Sequence, residues 1–392
     1  MKPMPTVVHV VHSLLGGGTE RSLIALLGDF DPHSFRHLVV TLRGPGELAG
    51  TLPAQVACRP LGTVGRSYSV GMRLGRILRR VRADVIHARN TGCWSDTLIA
   101  GLMNPGVQVV LGFHGLDHAG AFPRRSRWVA RCAERLGADF AAATHSGRLR
   151  LIEGCRVSPE RIQILPTGVD VGRFGAREDV AKPAARKYFG FNSDAIVVGT
   201  VAGLTPVKRH DILIDAFAPL ARMEPRLRLL MVGEGLLRND LERRVAEQQV
   251  AGQVVFAGRR EDVPAILPAI DIYVCSSDSE ELSNSMLEAA ACGIPVMTTN
   301  VGDHGIVIRD GVEGLVIAPN DTKALRQALQ FLVSHPAERS RFGDAARRRA
   351  VDFDIGDARV RYAEFYARIV SRRIRGAAPP TIWFRDPNRP CV

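Results

Sequence analysis

The stretch that decides the fold is Ser276 to Val296, with the sequence SSDSEELSNSMLEAAACGIPV. It follows an apolar run, 270–275, whose β-branched and aromatic residues predict a strand. Ser283 or Asn284 is a suitable N-cap for the helix that follows, and Gly293 stands where a helix C′ glycine belongs. The stretch therefore predicts a strand, an acidic loop, a helix and a second strand.

Two carboxylates bracket the N-terminus of this helix. Glu280 lies in the loop and Glu288 about a turn inside the helix, where its side chain leans back towards the loop. Unpaired N–H groups near Leu282, Ser283 and Asn284 would suit an anion. N–H donors for phosphate and carboxylates for hydroxyls are what a sugar nucleotide needs. A capped surface helix with a solvated acidic loop is the alternative, and this stretch alone leaves both open.

Length and composition indicate a soluble globular protein. The chain has 392 residues, enough for about two domains, with 23% charged and 46% hydrophobic residues. Its seven cysteines are scattered and form no CxxC pair, which favours a reducing cytosol over a disulfide framework or structural zinc. We find no export signal and no membrane-spanning run. The net charge of +12 fits an anionic partner: nucleotide phosphates, nucleic acid or an acidic membrane surface.

Strands alternate with helices along the chain in two series. The first series has predicted strands at 7–11, 36–42, 84–87, 107–111, 138–143 and 162–165, and the second at 196–201, 227–232, 254–256 and 270–275. The polar segment 171–182 is expected to be an irregular linker. This pattern predicts an α/β protein with two doubly wound parallel-sheet domains, 1–180 and 190–355, facing across a cleft. An amphipathic basic helix is predicted at 357–373, and the tail 376–392 is expected to be loose.

Three loops follow strand ends, where open α/β sheets bind ligands. The glycines at 16–18 would let the backbone approach a ligand, or they form a tight turn. His114 is a candidate to touch substrate or a structural histidine, and flanking glycines argue against a helix that could present both His114 and His118 to one metal. Lys208 is placed to neutralise a diphosphate, although an exposed surface lysine is the alternative.

Two segments concentrate positive charge in the N-terminal half. The segment 73–82 is apolar on one side and basic on the other. A second basic cluster comprises Arg124, Arg125, Arg127, Arg131 and Arg135. Helices with a solvated face are the default interpretation, and contact with a membrane surface or an acidic acceptor is the alternative.

Taken together, these segments resemble the retaining glycosyltransferases of the GT-B fold usually called family four, from about residue 6 to residue 373. The most specific match is the Glu-x7-Glu signature with Glu280 and Glu288 at its ends, followed by the family-like run 289–296. Supporting matches are Gly16 to Arg21, Phe113-His114-Gly115, Leu165 to Asp170, Thr205 to Lys208, Gly302 to Val307 and Asp310 to Gly314. Several motifs in the right order are far more specific than any one of them.

The resemblance implies a UDP- or GDP-linked sugar donor held by the C-terminal domain and an acceptor held by the N-terminal domain, which a helix at 356–375 would complete. Glu288 would hold the ribose hydroxyls, Glu280 the donor sugar, and Lys208 the diphosphate. Implied donor-binding residues are Gly17, Gly18, Lys208, Arg209, Glu280, Leu282, Ser283, Asn284 and Glu288, and implied catalytic residues are Glu280, His114 and Lys208. Attack on the same face of the sugar would need no protein nucleophile, no metal and no cofactor.

The chain departs from the family pattern at three positions. Gly203 stands where an arginine is usual, and loss of one charge-assisted donor to phosphate would cost about 1.5–3 kcal/mol unless Arg209 or another base compensates. Thr167 replaces the more usual asparagine, which we expect to matter less. Glu281, where glycine is common, adds a charge near the donor sugar. The pattern assigns no role to it.

We therefore expect a cytoplasmic, metal-independent transferase, either free or peripheral to the inner face of the membrane, that forms an α-linked product. The expected acceptor is a lipid-linked sugar or growing polysaccharide at the inner membrane face, and a soluble sugar phosphate or small metabolite is the alternative. A nucleotide-sugar-binding protein with little catalysis is a second hypothesis, because of Gly203. We expect no nucleic acid partner, since the chain lacks basic patches interleaved with aromatic residues.

Overall fold

The computed structural model describes residues 4–31, 33–63, 69–115, 121–175 and 178–375. The tail 376–392 and His118 lie outside the described residues, so the expectations about them stay predictions. The strands are β1 (Thr6–Val11), β2 (Arg36–Thr41), β3 (Ala57–Pro60), β4 (Val85–Ala88), β5 (Gln108–Phe113), β6 (Asp139–Ala142), β7 (Ile162–Ile164), β8 (Ile196–Val201), β9 (Leu227–Val232), β10 (Val254–Gly258), β11 (Ile272–Cys275), β12 (Val296–Thr299) and β13 (Gly314–Ile317).

The helices follow the strands along both halves of the chain. They are α1 (Gly18–Gly28), α2 (Ser69–Val81), α3 (Trp94–Leu102), α4 (Arg124–Arg135), α5 (His145–Arg150), α6 (Val171–Phe174), α7 (Glu178–Tyr188), α8 (His210–Met223), α9 (Arg238–Glu247), α10 (Val263–Ile266), α11 (Asn284–Ala291), α12 (His304–Val307), α13 (Thr322–Ser334), α14 (Pro336–Ala350) and α15 (Ile355–Arg375). Among the described residues, no helix has the length and apolar character needed to cross a bilayer.

The strands form two parallel sheets, which confirms the predicted α/β architecture. Within the described residues the first sheet has the order β3-β2-β1-β4-β5-β6-β7 and the second β10-β9-β8-β11-β12-β13. Two of the strands, β3 and β13, have no counterpart among the predicted ones. Strand β3 carries Arg59 and Pro60 and is largely exposed, so it lacks the apolar run by which buried strands are recognised.

Both faces of each sheet are covered by helices, as parallel sheets require. On one face of the first sheet, α2, α3 and α4 contribute Leu74, Trp94 and Val129 to a shared core. On the opposite face lies α15, whose Tyr362 and Tyr366 are buried against residues of β1, β4 and β5. The last helix of the described chain therefore packs on the first sheet, although it follows the second sheet in sequence.

The segment 171–182 is largely helical, so the prediction of an irregular linker was wrong. Helix α6 begins after Asp170, whose side chain accepts a hydrogen bond of 2.9 Å from the Arg173 N–H. Helix α7 is tied to the second sheet because Lys182 and Arg186 both pair with Asp271, at 2.7 and 2.5 Å. These partners are distant in sequence, and the polar composition of the segment gives no sign of them.

The direction of winding reverses once in each sheet. The reversals lie between β1 and β4 in the first sheet and between β8 and β11 in the second. Loops at the carboxyl ends of strands beside such a reversal are where open α/β sheets bind ligands. The glycines at 16–18 follow β1, whereas Lys208 and Glu280 follow β8 and β11. The fold therefore brings the sequence-predicted loops to the two reversal points.

Candidate active site

Helix α11, whose N-terminus lies between Glu280 and Glu288 in sequence, has the predicted local structure. Ser283 is the N-cap of α11, and its hydroxyl accepts a hydrogen bond of 3.4 Å from the Met286 N–H. Gly293 follows the C-cap residue with a φ of +77°, which is the left-handed conformation expected of a C′ glycine. Glu280 consequently lies in the loop before the helix, and Glu288 lies within the helix on its second turn.

Glu280 is paired with Lys208 across the reversal point of the second sheet. The Lys208 Nζ lies 2.5 Å from one Glu280 carboxylate oxygen, and the Ser277 hydroxyl donates to the other at 2.9 Å. Burial raises the pKa of Glu280, but the charge of Lys208 and these hydrogen bonds outweigh burial, so the pKa is lowered overall. Glu280 is therefore a carboxylate, and Lys208 is not the exposed surface lysine of the alternative interpretation.

Glu288 differs from Glu280 in having no such partner. Its carboxyl makes no hydrogen bond to any other residue in the part of the chain that the structure describes. Burial raises the pKa of Glu288 to about 7, despite the opposing positive charges of Arg173 and Arg21. A half-buried carboxyl group that no protein donor reaches can accept hydrogen bonds from hydroxyl groups of a ligand.

The N–H groups expected to face an anion are only partly available. The Ser283 N–H donates to the imidazole of His304 at 3.2 Å, so the expectation that this N–H is unpaired was wrong. Within the described residues, the N–H groups of Leu282 and Asn284 have no acceptor. A helix N-terminus with two such groups still favours negative charge.

Asn284 connects α11 to the other domain. Its side-chain amide donates to the Gly18 carbonyl at 3.2 Å and to the Ser22 hydroxyl at 2.8 Å. Its side-chain carbonyl accepts from the Thr167 hydroxyl at 3.1 Å. Thr167, one of the three departures from the family pattern, thus meets a residue of the predicted donor site. The N-terminus of α1 faces that of α11 across the cleft.

The glycine loop lies against the C-terminal domain. Gly16 has a φ of +104°, and a Cβ at this position would lie 2.3 Å from the guanidinium of Arg259. Arg259 donates to the Leu15 carbonyl at 3.2 Å and pairs with Glu47 at 2.8 Å. Gly17 is the N-cap of α1, and Gly18 is its first residue. The positive φ of Gly16 is what favours glycine there, and the loop that it forms lies beside Arg259 of the other domain.

Sequence reasoning missed Arg259. It directly follows β10, so it lies at the carboxyl end of a strand as Lys208 does. The rule that singled out Lys208 would have found Arg259 as well.

His114 directly follows β5 and is half-buried. Burial, together with the nearby charge of Arg89, lowers the pKa of His114 to about 3. The imidazole is therefore neutral near pH 7, and it is suited to hydrogen bonding rather than to charge stabilisation. Its predicted neighbour His118 lies outside the described residues, so the structure does not test the pair as a metal site.

Arg209, which was expected to compensate for the arginine missing at position 203, has a partner of its own in this structure. Its guanidinium forms a two-pronged pair with Asp211, with distances of 3.0 and 2.9 Å. At Gly203, a Cβ would meet only the Glu234 carbonyl at 3.7 Å and the Thr205 methyl at 3.8 Å. The position is open, and the charge of Arg209 is largely used by its own neighbour.

One group of side chains in the site has the elements of a metal centre. Potential ligand atoms of Cys275, Glu280 and His304 lie within 4.8 Å of one another. However, Lys208 already pairs with Glu280, and the His304 Nε2 accepts the Ser283 N–H. A cation beside Lys208 would be repelled, and the imidazole nitrogen has no free lone pair for it. These residues do not fit a metal ion.

Comparisons with known proteins agree with the two-sheet fold. The family model described as "Glycosyltransferase Family 4" matches residues 16–173, and the one described as "Glycosyl transferases group 1" matches residues 181–349. The structure is similar to that of HepE from Anabaena in complex with UDP and glucose, with a TM-score of 0.81, 20% sequence identity, and coverage of 92% of this chain and 99% of HepE. A glycosyltransferase from Rickettsia africae ESF-5 also has a TM-score of 0.81, at 18% identity, and covers 94% of this chain and 99% of that one.

Among curated relatives, a D-inositol 3-phosphate glycosyltransferase from Rhodococcus opacus is 32% identical over 214 residues, which are 52% of this chain and 47% of the relative. A GDP-mannose-dependent monoacylated alpha-(1-6)-phosphatidylinositol monomannoside mannosyltransferase from Corynebacterium glutamicum is 30% identical over 251 residues, which are 61% of this chain and 64% of the relative. The matched region thus spans about half to two thirds of the length of these two relatives.

The two sheets and the cleft between them place the protein in the GT-B structural class. The two family models together cover most of the chain. The chain belongs to family 4 of the glycosyltransferases, the group 1 glycosyl transferases.

Proposed function

We propose that this protein transfers a sugar from a nucleotide-diphosphate sugar, UDP- or GDP-linked, to a hydroxyl group of an acceptor, with retention of configuration. The observation that carries the proposal is the Lys208–Glu280 pair of 2.5 Å, next to the unpartnered Glu288 carboxyl, at the reversal point of the second sheet. Lysine, acidic side chains and the N-terminus of α11 supply different contacts for the phosphate, sugar and ribose parts of such a donor.

Each residue has a distinct role in the proposed reaction. Lys208 neutralises the diphosphate as it leaves, and Glu280 accepts hydrogen bonds from hydroxyl groups of the donor sugar. Glu288 accepts hydrogen bonds from the ribose hydroxyls. The neutral His114 hydrogen-bonds the sugar from the opposite domain, near the reacting carbon. The acceptor oxygen attacks the face from which the phosphate departs, and the leaving phosphate oxygen takes the acceptor proton. The reaction as proposed uses neither a metal nor a protein nucleophile.

Charge and exposure on the N-terminal domain support an acceptor at an anionic membrane. A groove of about 570 Å³ between β3 and α2 is lined by Arg59, Arg73, Arg76 and Arg80 and by no acidic residue. On the neighbouring surface, α4 presents Trp128, whose exposed fraction is 66%, among several exposed arginines. Arginines that attract acidic lipid and an exposed indole are features of interfacial surfaces. We therefore propose a lipid-linked sugar or growing polysaccharide as acceptor, at the inner face of the membrane.

Cosedimentation tests the membrane part. We expect the protein to bind phosphatidylglycerol vesicles at low salt and to be released at high salt. Changing Arg76 and Arg80 together to glutamate should weaken binding, because each basic residue near an anionic surface contributes about 1 kcal/mol. Arg243→Glu, at an exposed position of the C-terminal domain, is the matched control. Equal binding at both salt concentrations would contradict the membrane proposal.

A soluble sugar phosphate is the second candidate acceptor. It is favoured by the Rhodococcus relative, whose name gives inositol 3-phosphate as its substrate, whereas the name of the Corynebacterium relative gives a phosphatidylinositol mannoside. Activity on a water-soluble acceptor without vesicles would decide for this candidate.

A panel of nucleotides and nucleotide sugars in a thermal-shift assay tests the donor. A ligand that binds only the folded protein raises its melting temperature by mass action, so no acceptor is needed. We expect UDP or GDP and the corresponding sugar to raise it, and Glu288→Gln to reduce the shift. If no diphosphate nucleotide changed the melting temperature, the proposed function would be wrong. If nucleotides bind but the wild type has no measurable transfer, a binding protein with little catalysis is the better description.

A further inference from the structure

Glu281 directly follows Glu280, yet its carboxylate is buried in the other domain. One oxygen accepts from the Arg150 guanidinium at 2.8 Å, and the other from the hydroxyls of Thr144 and Ser146 at 2.8 and 2.9 Å. Thr144 is the N-cap of α5, and its oxygen accepts the Gly147 N–H, so its own proton is free to point at Glu281. Glu281 is 5% exposed. A charge this buried contacts three donors of the opposite domain.

A second carboxylate of the C-terminal domain binds the same segment. Asp303 accepts the backbone N–H groups of His145 and Ser146, at 2.7 and 2.8 Å. Its loop is fixed to that of Glu281, because the Asp303 N–H donates to the Glu281 carbonyl at 2.8 Å. Gly302 makes this approach feasible, since its φ is +51° and a Cβ there would lie 2.2 Å from the Glu281 carbonyl oxygen. The two carboxylates therefore act on α5 as one unit.

The contact lies next to the proposed reaction centre on both sides of the cleft. A Cβ on Gly115, the residue after His114, would lie 3.3 Å from the Glu281 side chain. A Cβ on Gly147 would lie 3.1 Å from the Glu281 carboxylate. Two small residues thus make room for Glu281 in the N-terminal domain. When Glu281 is seated there, the backbones that carry Glu280 and His114 are brought together.

We propose that Glu281 and Asp303 form a clasp that holds the two domains in the closed arrangement and so positions Glu280 opposite His114. The clasp itself depends only on contacts between the domains, whereas its effect on turnover rests on the proposed function. Glu281 is a positioning residue, since it binds protein groups and not the donor. A glycine at position 281 would lack all three side-chain contacts.

Opening of the clasp is reversible because water replaces every contact when the carboxylates leave α5. Each hydrogen bond to a charged group therefore favours the closed state only by its net strength over water, roughly ten- to a hundredfold in the equilibrium. Several such bonds together make the closed state dominant, and removal of one carboxylate shifts the balance measurably. The clasp is expected to set the ratio of closed to open protein.

Small-angle X-ray scattering of the full chain tests the clasp without any substrate. We expect Glu281→Gln, Glu281→Gly and Asp303→Asn each to increase the radius of gyration relative to wild type. Glu47→Gln is the matched control, because it removes another interdomain ion pair, with Arg259, at an exposed position. We expect its scattering to equal that of wild type. Scattering curves of the Glu281 and Asp303 variants that are identical to the wild-type curve would overturn the proposal.

Kinetics and nucleotide binding separate the clasp from the proposed function. We expect Glu281→Gln to lower kcat at least tenfold while the Kd for UDP or GDP stays within about threefold, because the nucleotide contacts are unchanged. The double variant with Asp303→Asn should lose less than the product of the single effects, since both residues act on one element. Opening without any nucleotide binding in wild type would refute the proposed function and leave the clasp intact. Unchanged kcat in an opened variant would refute the positioning role.

Discussion

The most discriminating perturbation of this site is Glu288→Gln, which removes an ionisable group and keeps its size. Burial raises the pKa of Glu288 from 4.5 to about 7 in the folded protein. Because the folded pKa lies above the unfolded one, the folded state binds the proton more tightly. Stability from this group is therefore fully present below about pH 4.5 and is lost as the pH rises towards 7.

The expected size of the effect follows from the pKa difference. One pKa unit corresponds to about 1.4 kcal/mol, so ionising Glu288 in the folded protein costs at most about 3.5 kcal/mol. The half-exposed position of the side chain reduces this figure, and we expect about 1–2 kcal/mol in practice. Glutamine does not ionise, so the stability of the variant relative to wild type should be greater at pH 8 than at pH 5.

Urea unfolding of the ligand-free protein between pH 5 and pH 8 measures this difference. Histidines that titrate in both proteins contribute equally to both unfolding free energies. The difference between wild type and Glu288→Gln therefore reports the contribution of the Glu288 carboxyl group alone. Glu242→Gln is the control, because it makes the same substitution at an exposed position of α9, where the carboxylate pairs with Arg238. A stability difference that does not change with pH would contradict the buried, unpartnered placement of Glu288.

Nucleotide binding provides the second half of this test. If the ionised carboxylate accepts ribose hydroxyls, the affinity of wild type for UDP or GDP should rise with pH up to about 7, by up to tenfold per pH unit below it. The variant should bind more weakly above pH 7 and show no such dependence. A wild type and a variant with the same affinity at pH 8 would refute the ribose assignment, even if the stability measurements agree.

Three further variants test the surroundings of the site. Lys208→Met leaves the Glu280 carboxylate buried without its cation. It should lower the free energy of unfolding in urea by about 2–3 kcal/mol, near the lower end for broken buried pairs. A decrease below about 0.5 kcal/mol would contradict the pairing. Gly203→Arg should raise turnover about ten- to a hundredfold if the leaving phosphate lacks a cation. The melting temperature should not fall, because the position is open. An unchanged rate would show that other groups already supply the charge. Asp271→Asn removes the carboxylate that pairs with Lys182 and Arg186. It should destabilise the protein by about 3 kcal/mol without changing nucleotide affinity. Weaker nucleotide binding would instead place this ion cluster in the donor site.

Much of the site was accessible from sequence because its elements are locally encoded. The N-cap at Ser283 and the left-handed Gly293 follow from residue types at fixed spacing, and both are present. Two strands, β8 and β9, have their predicted limits, and the other predicted strands differ from theirs by a few residues. The carboxyl-end rule then placed Lys208 and Glu280 at one edge, where they are in direct contact. Local pattern and sheet topology were sufficient for these features.

Other features could not be predicted because their causes are distant in the chain. Strand β3 pairs only with β2 at an exposed edge, so it needs no apolar run. Helix α7 occupies a segment with a polar composition, and what fixes it is the pairing with Asp271, 89 residues later for Lys182. In both cases tertiary contacts override a local pattern that indicates no regular structure.

The sequence by itself determined which loops meet at the cleft, since β1, β8 and β11 and the residues that follow them are set by local patterns. The tertiary structure decided where the long polar side chains of those loops point. Arg259 turned to the Leu15 carbonyl and to Glu47, both in the N-terminal half of the chain. Glu281, to which the sequence assigned no role, reached Thr144, 137 positions away in the chain. The physical reason is that a flexible charged side chain takes whichever partner the packing of distant segments brings within hydrogen-bonding range, and no local pattern contains that information.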